Sequence, residues 1–292
     1  MYNIMIIGAA LAASILFSLK GILVKSGMAH GALALDMLAL RMLLAAPCYV
    51  LLLGWSLRRH PQPLYSLLPA VGLGLIGNYL SPTLNFHGLQ TVSASLERIL
   101  IHAIPAMVIL VGWVGDKKKP RRLAWVGLVV CYGGIVLSCL GRDHGRLDVD
   151  MAGVGSILLG CLTYAFFLLR SAQGQARLGT VTFTSVAMLT SSLACLFQNA
   201  VQGHMGSLLR LPMAVWGLGG ALALLCTVVP AYLSAYGVRM LGAQRSAVYG
   251  MAGPLCVPLV AALALGESMS LPQWGGFALV MLGGAVLTQA SS

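Results

Sequence analysis

The chain has 292 residues, of which 59% are hydrophobic and 9% are charged, and its formal net charge is +11. A soluble domain carries roughly 25% charged residues, so this composition excludes a protein that covers its surface in water and predicts one embedded in lipid. The basic residues stand in short clusters between apolar runs, which is typical of loops that orient a membrane protein and argues against nucleic-acid binding.

Ten apolar runs follow one another along the chain, each near the ~20 residues that a helix needs to cross a bilayer. They predict membrane-spanning helices over residues 4–26, 33–55, 66–87, 93–114, 122–140, 151–171, 180–201, 212–237, 243–265 and 271–289. No basic segment precedes the first run, so it is interpreted as a retained helix and not as a cleaved signal peptide. The expected fold class is an all-α integral membrane protein with ten transmembrane helices.

The short connections carry unequal numbers of basic residues on the two sides of the membrane. With a cytoplasmic N-terminus, the inside set is Arg58, Arg59, Lys117, Lys118, Lys119, Arg121, Arg122, Arg170, Arg177, Arg239 and Arg245. The outside set is Lys25, Arg142, Arg146 and Arg210. Because Lys and Arg favour the cytoplasmic side, both termini are predicted to be cytoplasmic, in a bacterial-type inner (plasma) membrane.

The two halves of the chain repeat each other. Residues 88–127 can be laid on residues 237–276 with a constant shift of 149 positions. The matched pairs include Pro105 with Pro254 and Trp125 with Trp274. Five spans per unit is an odd number, so the second unit enters the membrane from the opposite face. We therefore expect two inverted five-helix repeats, over residues 1–146 and 147–292.

Motifs in the two halves point to a known family. The first half carries Gly-Leu-Gln-Thr-Val-Ser-Ala-Ser-Leu-Glu-Arg at residues 88–98, ahead of Pro105. The second half carries Pro254, then Leu265-Gly266-Glu267, then Gln273-Trp274-Gly275-Gly276. The chain resembles the EamA-type transporters of the drug/metabolite transporter superfamily over essentially its whole length. It departs from the family's Gly-Glu-Arg hinge in the first half, where Gly115-Asp116 and a run of lysines stand instead. The resemblance implies transport of amino acids, metabolites or drugs without naming the cargo.

Polar side chains inside the spans are functional candidates, because they are costly to place in lipid. The first half supplies Lys20, Asn78, Asn85, Glu97, Arg98 and His102. Two interpretations of Glu97 stay open. In one, it takes up a proton or a substrate ammonium while Lys20 or Arg98 meets a carboxylate; in the other, it forms an internal ion pair that fixes helices. Lys20 either reaches the outer interface or faces a cavity.

Helical spacing, and the cost of placing a charged side chain in lipid, indicate further functional candidates. Arg98, His102 and Pro105 are predicted to share one helical face. His102 either titrates near neutral pH or is a satisfied buried histidine. Arg41 in the second span is expected to reach the interface or to brace a neighbouring span, and contact with the cargo stays open as a third role.

Four prolines predict breaks in the spans, where gating could occur: Pro82, Pro105, Pro230 and Pro254. A proline frees a backbone carbonyl, which protein or cavity water must then satisfy. The second half adds Tyr164, Tyr232 and Tyr249, so a cavity between the halves would have a charged wall and an aromatic wall. Such a cavity suits a small zwitterion or an organic anion with an apolar part.

No metalloprotease, P-loop or hydrolase motif occurs in the sequence, so we expect no enzyme, no cofactor and no metal. The prediction is a secondary active transporter, with export as the expected direction, that moves an amino-acid-like solute or organic anion by alternating access. Its partners would be the solute and the bilayer, with protons as an open choice of coupling ion. A monomer is expected and a dimer stays open. The alternatives are a transporter of lipophilic drugs, a flippase-type lipid-active protein and a non-transporting scaffold.

Overall fold

A computed structural model describes residues 12, 16–17, 19–116, 122–139, 150–203, 205–242 and 270–291. Every regular element in these ranges is helical. In chain order they are α1 (Lys20–Ala29), α2 (Ala34–Arg59), α3 (Leu64–Gly74), a first π-helical segment (Leu75–Leu80), α4 (Ser81–Gly88), α5 (Ala94–Ile101), α6 (Ile104–Asp116), α7 (Arg122–Cys139), α8 (Met151–Leu178), α9 (Thr180–Val201), α10 (Met205–Leu209), α11 (Met213–Ala223), a second π-helical segment (Leu224–Val228), α12 (Val229–Leu241) and α13 (Leu271–Ser291).

Five of the described helices are long and apolar enough to cross a membrane: Ala34–Arg59, Leu64–Gly88, Met151–Leu178, Thr180–Val201 and Met213–Leu241. Shorter apolar helices lie over Ile99–Gly115, Arg122–Ser138 and Leu271–Leu287. The prediction of an all-helical membrane protein is therefore confirmed for the described residues. The end of the predicted first span lies in α1, and most of residues 4–19 lie outside the described residues, as does the predicted ninth span, residues 243–265.

Side-chain caps set where several of these helices begin. The carboxylate of Asp36 accepts a hydrogen bond from the Leu33 backbone N–H at the start of α2 (2.9 Å). Asp150 accepts from the N–H groups of Ala152 and Gly153 at the start of α8, at 3.0 and 3.2 Å. These carboxylates accept from N–H groups that have no partner within a helix. The helix dipole also favours their negative charge at this end of the helix.

The predicted fourth span, residues 93–114, contains a break close to Pro105, where a break is predicted. Two helices, α5 and α6, are separated by a turn at His102 and Ala103. Pro105 explains the break, because it has no N–H to donate to the carbonyl of Ile101 and its ring crowds the preceding turn. His102 and Ala103 instead donate to carbonyls three positions earlier, at 3.1 and 3.0 Å. Arg98 and Pro105 thus belong to different helices, and the predicted common face with His102 is interrupted.

Pro82 and Pro230 each stand in the first turn of an α-helix, and a π-helical segment directly precedes each of these helices. Pro82 cannot donate to the carbonyl of Asn78, and the hydroxyl of Ser191 in α9 donates to it instead. In the second π-helical segment, the Thr227 hydroxyl donates to the carbonyl of Leu222 at 2.8 Å. At Pro82, a side chain of the protein thus supplies the donor for the freed carbonyl.

Glycines let α7 and α13 pack against each other along their lengths. A Cβ at Gly134 would lie 2.7 Å from the carbonyl oxygen of Gly276, and one at Gly283 would lie 2.8 Å from that of Gly127. No larger side chain fits at such distances, so the two backbones touch. The pairing of Gly127 with Gly283 and of Gly134 with Gly276 makes the helices antiparallel.

Candidate functional site

A buried ion pair joins α1 to α5. The Nζ atom of Lys20 lies 2.9 Å from Oε1 of Glu97, and the side chains are 12% and 0% exposed. The same Nζ donates to Oδ1 of Asn85 in α4 at 2.6 Å. Burying either charge alone would be strongly unfavourable, so each charge is neutralised by the other. We call Lys20, Asn85 and Glu97 the ion-pair cluster. Lys20 therefore faces the protein interior and does not reach for the interface.

A glycine keeps the two helices of this ion pair close together. A Cβ at Gly21 would lie 3.3 Å from Oε2 of Glu97 and 3.4 Å from the Cβ of Ala94. The hydroxyl of Ser93 caps α5 by accepting from the Leu96 N–H at 3.2 Å. Glu97 is thus placed in the first turn of α5, where the helix dipole also favours a carboxylate.

The ring of Phe86 is shared by two cations. Nζ of Lys20 lies 5.5 Å from the ring centroid, and the guanidinium carbon of Arg41 in α2 lies 5.3 Å from it. Both distances are within the range at which an aromatic face attracts a cation. Arg41 is 5% exposed, so this second cation is also buried.

Beyond Arg41 lies a group of hydroxyl side chains from three helices. The hydroxyls of Tyr232 in α12 and Ser185 in α9 are hydrogen-bonded at 2.7 Å. The ring of Tyr49 in α2 is tilted against that of Tyr232, with centroids 6.1 Å apart. Tyr49 is fully buried, and its hydroxyl has no hydrogen-bond partner among the described residues. We call Tyr49, Ser185 and Tyr232 the tyrosine cluster.

The remaining sequence candidates lie elsewhere or outside the description. Tyr164 stacks on Phe167, with ring centroids 5.8 Å apart. His102 is buried, and its ring lies 6.3 Å from that of Phe277 in α13. Tyr249, Pro254 and the side chain of Arg98 lie outside what the structure describes. Of the predicted site residues, the contacts bring Lys20, Asn85 and Glu97 together and place Tyr232 in a second cluster.

Sequence reasoning missed the link between the two clusters. The sequence leaves three roles open for Arg41: reaching the interface, bracing a span or touching the cargo. It does not indicate Phe86, Tyr49 or Ser185. One signal was available, because Arg41 and Tyr49 are eight positions apart and so share a broad helix face. Their meeting with Phe86 and Ser185 depends on packing between α2, α4 and α9, which no local pattern reports.

The fold and this site together define a helical membrane protein with buried charges between its helices. The model of the EamA-like transporter family matches residues 4–140 and again residues 151–289. The chain therefore belongs to the EamA-like transporter family.

Relatives in bacteria carry transporter names. The chain is 30% identical over 280 residues to "Uncharacterized transporter YcbK" of Bacillus subtilis (strain 168), covering 92% of this chain and 89% of the relative. It is 24% identical over 246 residues to "Uncharacterized inner membrane transporter YedA" of Escherichia coli (strain K12), covering 82% and 77%. These names and the family support a transport role over an enzymatic one.

A solved crystal structure has the same fold. It superposes with a TM-score of 0.66 at 16% sequence identity, and the match covers 96% of this chain and 95% of the other. At this identity the likeness concerns the fold alone.

Proposed function

We propose that this protein is a secondary active transporter that exports a small amino-acid-like solute or organic anion across the inner membrane. The observation that carries the proposal is the buried cluster of Lys20, Asn85 and Glu97 between three helices. Charges inside a membrane protein are costly, and they typically mark the path of a solute or proton. Family membership supplies the transport role, and the cluster supplies a place for the cargo.

The ion pair gives a physical route to coupling. In the resting site Glu97 compensates Lys20. A proton or a substrate ammonium that reaches Glu97 removes that compensation and frees Lys20 to meet an anion. The sequence has no P-loop, so we propose that a gradient, with protons as the coupling ion, supplies the energy.

Alternating access fits an inverted pair of five-helix repeats, over residues 1–146 and 147–292, with ten spans and both termini cytoplasmic. Two observations support this arrangement. The π-helical segments begin at Leu75 and Leu224, which are 149 positions apart, the same shift that aligns the sequence repeat. The glycines that join α7 to α13 are related by that shift too, and their helices run in opposite directions.

The test has two stages. Metabolite profiles of cells that lack or overproduce the protein would name the exported solute, and uptake into proteoliposomes with and without a pH gradient would give the coupling. We expect Glu97→Gln to abolish gradient-driven transport. The matched control is Asp150→Asn, which makes the same carboxylate-to-amide change at an exposed helix start and should leave transport intact. Transport of bulky lipophilic cations alone would contradict the proposed cargo class and favour the drug-transporter alternative.

A further inference from the structure

We infer that the guanidinium of Arg41 binds a carboxylate of the cargo, at the point where the ion-pair cluster and the tyrosine cluster meet. This inference rests on the proposed transport function and adds to it the residue that selects an anionic group. It assigns to Arg41 a role that differs from bracing a helix.

Arg41 lies deep in the protein. It is seven positions after Ala34, which places it roughly 10 Å along α2 from the start of that helix. Its side chain is 5% exposed. A guanidinium does not lose its proton in proteins, so the positive charge persists at this depth.

Nothing in the described part of the chain neutralises this charge. No hydrogen bond or ion pair there reaches the guanidinium, and its Nε is buried without a partner. Asp36, the acidic residue in the same helix, is engaged by the Leu33 N–H at the start of α2. The Phe86 ring contributes only a cation–π contact, with its centroid 5.3 Å from the guanidinium carbon.

The contrast with Lys20 is what points to a ligand. Both cations lie against the same ring, yet Lys20 has a carboxylate and an amide oxygen as partners. A buried charge needs compensation, so the anion that completes Arg41 must come from outside these residues. In a transporter, the cargo is the molecule that enters and leaves such a place.

The surroundings of Arg41 define the chemistry of that anion. A guanidinium presents a planar fork of donors that matches a carboxylate. Tyr49 lies within electrostatic range of Arg41, and its hydroxyl lacks a partner among the described residues, so it can donate a further hydrogen bond. One uncompensated positive charge suits a monoanion. The tilted rings of Tyr49 and Tyr232 then suit an apolar part of the same molecule.

The experiment measures ligand-induced thermal stabilisation of the purified full chain in detergent. The probes are two acid–amide pairs of nearly equal shape: benzoate with benzamide, and L-phenylalanine with L-phenylalaninamide. We expect at least one acid to raise the melting temperature of the wild type while its amide does not. Arg41→Gln should abolish this acid-specific shift, and Arg41→Lys, which keeps the charge but not the fork, should weaken the binding about tenfold.

Arg59 provides the matched control. It is also an arginine of α2 lying over an aromatic ring, with its guanidinium 4.4 Å from the Trp55 centroid, but it is exposed at the end of the helix. Arg59→Gln should therefore keep the wild-type shift. Gel filtration checks that each variant is monodisperse, and Arg41→Lys serves if Arg41→Gln does not fold.

The inference is overturned if acids and amides stabilise equally, if no acid stabilises the wild type, or if Arg41→Lys binds the acids as tightly as the wild type. Failure of the transport function looks different. In that case acid binding depends on Arg41, but no solute crosses proteoliposomes that contain the wild type. Conversely, gradient-driven transport lost in Glu97→Gln, with acid binding independent of Arg41, keeps the transporter and removes the carboxylate role.

Discussion

The ion-pair cluster and the tyrosine cluster bury their polar groups in different ways. In the ion-pair cluster, Lys20 and Glu97 neutralise each other. In the tyrosine cluster, one hydroxyl pair is satisfied while the hydroxyl of Tyr49 has no partner among the described residues. Both charges of the first pair thus have a partner, whereas the second cluster keeps one hydroxyl without a partner among the described residues.

Removing the carboxylate of Glu97 should lower the stability of the protein more than any other change considered below. Glu97→Gln leaves the Lys20 charge buried without its counter-ion, and loss of one partner of a buried pair costs about 3–5 kcal/mol of stability. Chemical unfolding in detergent measures the loss. The double variant Lys20→Met with Glu97→Gln removes both charges and should recover most of the stability but not the transport. A single variant as stable as the wild type would mean that the pair is not compensating at all.

A substitution that pushes α1 away from α5 should cause the next largest loss of stability. In Gly21→Val the added methyl groups meet Glu97 and Ala94, whose atoms already lie 3.3 and 3.4 Å from a Cβ placed at Gly21. Overpacking of this kind costs about 1–3 kcal/mol, read out by thermal unfolding. Gly155→Val is the matched control, because a Cβ there meets nothing within 4 Å, and it should change stability much less. Equal losses in the two variants would trace the effect to helix propensity alone.

The two tyrosines should respond differently to loss of their hydroxyls. Tyr232→Phe removes the hydrogen bond to Ser185 and should cost about 1 kcal/mol. Tyr49→Phe removes a buried hydroxyl that lacks a partner among the described residues, so its stability should equal or exceed that of the wild type. Unfolding of both variants in parallel provides the comparison. A larger loss of stability for Tyr49→Phe than for Tyr232→Phe would show that the Tyr49 hydroxyl has a stabilising partner.

The smallest effect concerns an exposed carboxylate, as a contrast to the buried Glu97. The Thr91 hydroxyl, first, and the N–H groups of Ala152 and Gly153 lower the pKa of Asp150 from its ordinary value. Because the folded pKa is below the unfolded one, the stabilisation is present above the unfolded pKa and is lost as the pH falls through the folded pKa. Asp150→Asn keeps a capping side chain but cannot titrate, so its stability should depend less on pH below about pH 4. Identical acid-unfolding profiles would contradict this role.

Sequence predicts the helices of this protein better than its site. Long apolar runs report membrane spans because the cost of exposed backbone in lipid leaves few other structures. Lys20, Asn85 and Glu97 were predictable as candidates for the same reason, since each is costly within a span. Their pairing, and the meeting of Arg41 with Phe86, depend on contacts between residues far apart in the chain. The break at His102 lies just before Pro105, where it is predictable because proline lacks the N–H that a continuous helix needs.

The glycine contact between α7 and α13 has a further consequence. Gly127 and Gly134 correspond to Gly276 and Gly283 under the repeat, and each glycine touches the counterpart of the other. This reciprocity is the mark of an isologous interface, in which one surface is complementary to itself. A single half thus contains all the information needed to specify both sides of the contact. Because residues 4–140 and 151–289 match the same family model, the covalent connection holds together two related surfaces that could otherwise pair between separate chains.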